Sequence, residues 1–179
     1  MKSTSYLLAL IAMVLVSCSQ EPTLQKYYVE NSDSKEFVTL DIAPNIINTD
    51  SLELSDDEKK ALKSLHKFNV LIYKADSIDK TKYVAEKEKV KNLLKADEYE
   101  ELMKVNSAEG GFSINIKGEG SKLDEIVLFA HQSENGFGVV RILGDDMEPA
   151  DAGVIAGLLQ KANLDMKQLK PLQEMMKKK

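Results

Sequence analysis

Few side chains in this 179-residue chain are suited to chemistry: two histidines, His66 and His131, one cysteine, Cys18, and a carboxylate pair, Asp145-Asp146. Acid–base work near neutral pH falls first to histidine. His66 closes the first expected helix, where an imidazolium would meet the negative end of the helix dipole. His131 shares a strand face with Val127 and Phe129, the setting of a partly buried structural histidine. Zinc takes three or four ligands, so two distant histidines are half a site. Asp145-Asp146 could cradle a cation with Glu148 or Asp151. Calcium loops, however, alternate acids around a central glycine, and turn formation with helix N-capping explains these acids more simply. Asp97, Glu98, Glu100 and Glu101 read as a solvated acidic rim.

The glycines lead no further. Gly118-Glu119-Gly120-Ser121-Lys122 lacks the Gly-Lys-Ser/Thr order of a phosphate loop. Gly136-x-Gly138 lacks the third glycine of a dinucleotide turn, and no serine stands in a Gly-x-Ser-x-Gly elbow. Gly153 and Gly157, four apart on a charged helix, are expected to pack its backbone closely on a sheet. No catalytic residue, cofactor site or metal site is legible, and a non-enzymatic role is expected.

Composition narrows the class. The chain is 43% apolar and 30% charged, which is globular, and its length is that of a single domain. With 24 Lys plus Arg against 29 Asp plus Glu, the net charge is -5. No basic excess exists to neutralise phosphates, so no nucleic-acid partner is expected. One cysteine makes an intramolecular disulfide impossible.

That cysteine closes the N-terminal pattern. Lys2 precedes ten apolar residues, Leu7 to Val16, a run too short to span a bilayer but right for a secretory signal. Leu15-Val16-Ser17-Cys18 then resembles the bacterial lipobox, in which the cysteine receives a diacylglyceryl thioether and the signal is cut before it. The expected organisation is a cleaved signal peptide over 1–17, a lipidated tether over 18–34, and a single domain over 35–179. The membrane is thus a partner through a lipid at Cys18. Ser19, where many Gram-negative lipoproteins carry an inner-membrane retention Asp, tilts the expectation to the outer membrane, with the domain in the periplasm or at the cell surface.

The elements that must carry any site follow from periodicity. Glu36–Ile42 alternates as a strand, and Pro44 stops it. Ser55-Asp56-Asp57-Glu58 is a capping box, with Ala61, Leu62, Leu65 and Phe68 following at helical spacing. Phe68–Tyr73 reads as a second strand and residues 79–95 as a helix with Val90, Leu93 and Leu94 inward. Strands are expected at Tyr99–Val105, at Phe112–Ile116 and, centrally, at Ile126–Ala130. Asn135-Gly136 signals a hairpin into the strand Phe137–Leu143. Pro149 opens a helix whose stripe includes Val154, Ile155, Leu158 and Leu159. A short helix is expected over Gln168–Met176. This order predicts an α+β fold: a mostly antiparallel sheet of about five or six strands with two or three helices on one face.

Four stretches, EFVTLDIAP, FNVLIYKAD, EYEELMKVN and LDEIVLFAHQSENGFGVVRILGDDM, resemble the domain of unknown function 4252 over about Glu36 to Leu164. That resemblance implies a small envelope lipoprotein of the kind found mostly in Bacteroidota, often encoded beside extracytoplasmic-function sigma factors. It carries over no catalytic residue. The expected function is a non-enzymatic binding or interaction module of the cell envelope, with an envelope protein as partner and a link to sigma-factor signalling. The alternative is a periplasmic small-ligand carrier or envelope enzyme with a pocket between sheet and helices. A pocket lined by convergent polar groups would favour the alternative, and a flat exposed apolar patch the first reading.

Overall fold

The structure, a computed structural model, describes residues 21–74, 80–133 and 136–170. Six long strands form one sheet: β1 (Phe37–Ile42), β3 (Leu65–Lys74), β4 (Glu100–Asn106), β5 (Gly110–Glu119), β6 (Lys122–Gln132) and β7 (Gly136–Met147). Their order is β1-β3-β7-β6-β5-β4, with every neighbouring pair antiparallel. Two-residue strands β2 (Ile47–Asn48) and β8 (Asn163–Leu164) pair separately. The helices are α1 (Leu24–Asn31), α2 (Asp56–Ser64), α3 (Lys80–Leu93) and α4 (Pro149–Lys161). The α+β class and the six-stranded antiparallel sheet match the sequence reading.

The helix layer does not match it: helices lie on both faces. On the front face α1 and α3 bury Leu24, Tyr27, Tyr28, Tyr83 and Val90 against Phe37, Leu71, Tyr73, Val127 and Val139. On the back face α2 and α4 bury Ala61, Ile155 and Leu158 against Ile42, Phe68, Ile126 and Ile142. The cause is the strands themselves. In β3, Leu71 and Tyr73 point one way and Phe68 and Val70 the other, so a single layer leaves half the apolar side chains in water.

Two boundaries also move. Residues 24–31, expected within a polar tether, form α1, because Thr23 caps the helix through its Oγ1 (3.1 Å from Lys26 N) and Leu24, Tyr27 and Tyr28 share one buried face. The α2 capping box forms as expected, with Glu58 N donating to Ser55 Oγ at 3.3 Å and Ser55 N to Glu58 Oε2 at 2.9 Å. The helix nevertheless ends at Ser64. Leu65 and Phe68, expected on its apolar stripe, start β3, where ladder bonds to β7 and β1 outweigh another helical turn.

The turns divide similarly. Gly120, at φ 62°, and Ser121 make a two-residue hairpin closed by Glu119 and Lys122. The β6–β7 connection is longer than the expected two residues: Gln132 pairs with Gly136, leaving 133–135 between them, and Asn135 lies outside the described residues. Gly136 is drawn into the ladder because it also pairs with Lys74 of β3. Gly153 and Gly157 do not meet the sheet, since an added Cβ on either would find no atom within 4 Å. Most of the expected helix Gln168–Met176 also falls outside the described residues.

Candidate functional site

Cys18, the expected lipidation site, lies outside the described residues. The two histidines stand apart. His66, expected at a helix end, is an exposed β3 residue at the bulge before Lys67, with Nε2 3.1 Å from Asp145 Oδ2. Asp145 and Asp146 sit in the last residues of β7, and Asp146, at φ 52°, pairs with Lys122 at 2.8 Å. Glu148 pairs with Lys60, while Asp151 Oδ2 accepts from Glu148 N at 2.8 Å and caps α4. Four acids expected near one another are thus each engaged elsewhere. Among the described residues no three His, Cys, Asp or Glu side chains gather to hold a metal.

The front face holds a buried polar network that the sequence reading missed. Arg141 Nε donates to Glu125 Oε1 at 2.6 Å and Nη2 to Oε2 at 3.1 Å, with both side chains 5% exposed. Arg141 Nη1 also donates to Asn69 Oδ1 (3.4 Å) and to Gln25 of α1. Asn69 donates to Asp41, which also accepts the Tyr28 hydroxyl at 3.0 Å. The Tyr99 hydroxyl donates to Glu125 Oε2 at 3.2 Å. Burial, then the hydrogen bond to Asp41, pushes the Tyr28 hydroxyl up to about 12, and burial raises Tyr99 further. Both phenols therefore serve as neutral donors. The signal was present: Arg141 interrupts the apolar run Val139-Val140-Arg141-Ile142-Leu143 of an interior strand, and such a charge must find a partner.

Beside this network the front face opens. α1 and α3 cover β1, β3, β7 and β6, while the end of α3 only partly roofs β4 and β5, and a cavity of about 310 Å³ remains. Its floor is three consecutive cross-strand rows: Glu101–Asn115, Lys104–Ser113–Phe129 and Gly111–His131. Its wall is the last turns of α3 and the residues just after, with Glu88, Lys91, Leu94 and Lys95. Ser113 and Asn115 alternate with the apolar Phe112, Ile114 and Ile116, a pattern that ordinarily turns its polar side to water. They are buried instead, with the Ser113 hydroxyl donating to Asn115 Oδ1 at 3.0 Å. Burial first, and then Lys91 and Lys87, lowers the His131 pKa below the ordinary value, which keeps the imidazole neutral.

The back face carries the opposite feature. Beyond the buried row, two complete cross-strand rows are only partly covered, the first of them packing against the edge of the core under α2 and α4. One is Met103–Ile114–Leu128–Val140–Val70–Leu40, and the other Val105–Phe112–Ala130–Gly138–Ile72–Val38. None of the twelve is buried, and Met103 and Val105 are 52% and 57% exposed. The structure therefore contains both the polar pocket and the flat apolar patch that separated the two readings.

A family model for a domain of unknown function, DUF4252, matches residues 27–154, which takes in the whole sheet. No curated protein and no solved structure matches the chain.

Proposed function

The chain belongs to the DUF4252 family, and from that premise we propose a lipid-anchored, non-enzymatic module of the bacterial envelope that docks a partner protein on its open apolar half-face. The observation that supports this is the pair of uninterrupted apolar rows, six strands wide and without one charged side chain. At about 4.8 Å per strand and 3.4 Å per residue, two such rows cover roughly 300–400 Å², the size at which an exposed patch on a monomer is usually functional.

The occupant is a protein rather than the bilayer, on the following argument. Five residues, Ser19 to Thr23, separate Cys18 from Leu24, so a lipid on Cys18 holds α1 within about 20 Å of the membrane surface. α1 packs on the front face, and the apolar rows occupy the back. The face turned from the anchor is free to meet another envelope protein. Signalling through a sigma-factor circuit belongs to this proposal as the class of process such a partner would serve.

The test is in-cell photo-cross-linking of the native lipoprotein from a benzoylphenylalanine at Leu128, against the same probe at the exposed Lys63 of α2. We expect a discrete adduct with a second protein from Leu128 only, lost on Val140→Asp in a chain that still folds. Adducts with lipid alone, with a second copy alone, or equally from Lys63 would overturn the docking reading.

A further inference from the structure

The cavity on the front face has a chemistry of its own, independent of docking on the back. Asn115 is 1% exposed and lines the cavity. Its Oδ1 takes the Ser113 hydroxyl, while its amide N–H₂ donates to no described residue. That donor is left to solvent or to a ligand in the cavity. In the next row but one, the buried Nδ1 of His131 also has no partner. The floor therefore offers one buried nitrogen without a partner, on His131, and one amide donor, on Asn115, that no described residue engages.

The wall and rim add charge. Lys91 is 3.3 Å from Glu88, and Lys104 is 2.7 Å from Glu101, so both acids lining the cavity are already neutralised. Lys95 makes no ion pair with any described residue. Three lysines against two glutamates leave the lining one positive charge in excess, with His131 neutral. Leu94, 6% exposed, and Phe129, 3% exposed, supply apolar surface in the same space. The volume stands at the lower limit of ordinary small-ligand sites.

We infer that this cavity binds a small organic monocarboxylate with an apolar body. The carboxylate accepts from the Asn115 amide and is balanced by Lys95, and the apolar body lies against Phe129 and Leu94. His131 meets the ligand's remaining polar group as a neutral imidazole. A cationic ligand is disfavoured because neither glutamate is uncommitted, and a dianion because the lining offers one net charge rather than two.

Calorimetric titration of the full chain in detergent, with phenylacetate as probe, tests the assignment. Phenylacetate is expected to bind saturably at one site per chain. Inorganic phosphate and phenethylamine are expected to bind at least about tenfold more weakly, the scale of one charge-assisted hydrogen bond. Lys95→Gln, a surface change that leaves the core untouched, is expected to weaken phenylacetate about tenfold, and Asn115→Leu to weaken it similarly. If Asn115→Leu does not fold, Lys95→Gln decides alone. Absence of saturable phenylacetate binding, equal binding of phosphate, or unchanged binding to Lys95→Gln would overturn the inference.

Discussion

Arg141 and Glu125 meet on the front face of β7 and β6 through two parallel hydrogen bonds of 2.6 and 3.1 Å, each side chain 5% exposed. Removing one member strands the other charge in the interior. Glu125→Leu is therefore expected to cost about 3–5 kcal/mol, the usual result of orphaning a buried ion. Arg141→Met added to Glu125→Leu should restore much of that loss, since an apolar pair of similar volume is often as stable as the ion pair it replaces. Urea melts of the two variants check this. A single variant as stable as the double would mean that Asn69 and Gln25 suffice to hold Arg141.

Gly136 gives a prediction about the chain's path rather than its charge. Its φ of 104° is a backbone region that side-chain-bearing residues rarely adopt, and it sits where β7 leaves the connection from β6. Gly136→Val places a β-branched residue there and is expected to lose about 1–3 kcal/mol. Gly153→Ala, on an exposed position of α4 where an added Cβ meets nothing, should instead be neutral or gain up to about 1 kcal/mol. Thermal melts that moved both variants alike would contradict the difference in backbone.

The cavity histidine predicts a pH dependence. Burial, then Lys91 and Lys87 of α3, lowers the folded pKa of His131 from its ordinary 6.5, with only Glu88 acting the other way. Below pH 6.5 the unfolded chain thus binds protons more readily than the folded one. The stability this group supplies is whole above 6.5 and is lost as pH falls through the folded pKa. Carboxylates titrate lower and contribute their own slope, so the informative quantity is a difference. Urea midpoints at pH 7.5 and 5.5 should fall more for the wild type than for His131→Gln. Equal losses would show that His131 protonates freely in the folded state.

What the sequence made legible follows from the range over which each signal acts. Alternation in Phe112–Ile116 and Glu36–Ile42 is local, and strands form within both segments, the second starting at Phe37. The capping box at Ser55 is local and also forms, but the end of α2 is not, because Leu65 gains its ladder partner Gly144 from far along the chain. α1 escaped notice because eight residues are too short for helical propensity to act alone, and the contacts of Leu24, Tyr27 and Tyr28 with Phe37 and Leu71 are tertiary. The site was hidden for a related reason. The alternation of Ser113 and Asn115 with apolar neighbours does not tell which polar row a helix will partly roof. Helices on both faces were foreshadowed by β3, whose two faces are both apolar.

The lipid anchor gives the last prediction. No helix among the described residues is long and apolar enough to cross a membrane. The proposed attachment is through Cys18, after the ten-residue apolar run Leu7 to Val16. A single acyl chain holds a protein only marginally, whereas two or more anchor it stably at about 0.8 kcal/mol per buried methylene. Cys18→Ala is therefore expected to abolish labelling by a palmitate analogue and to shift the protein out of the membrane fraction. Among the described residues the buried apolar core begins at Leu24, so the same substitution should leave the melting of the domain unchanged. That pairing separates loss of anchor from loss of fold. Equal labelling of wild type and Cys18→Ala, with the domain folded in both, would remove the anchor from the proposal and leave the two binding surfaces to stand without it.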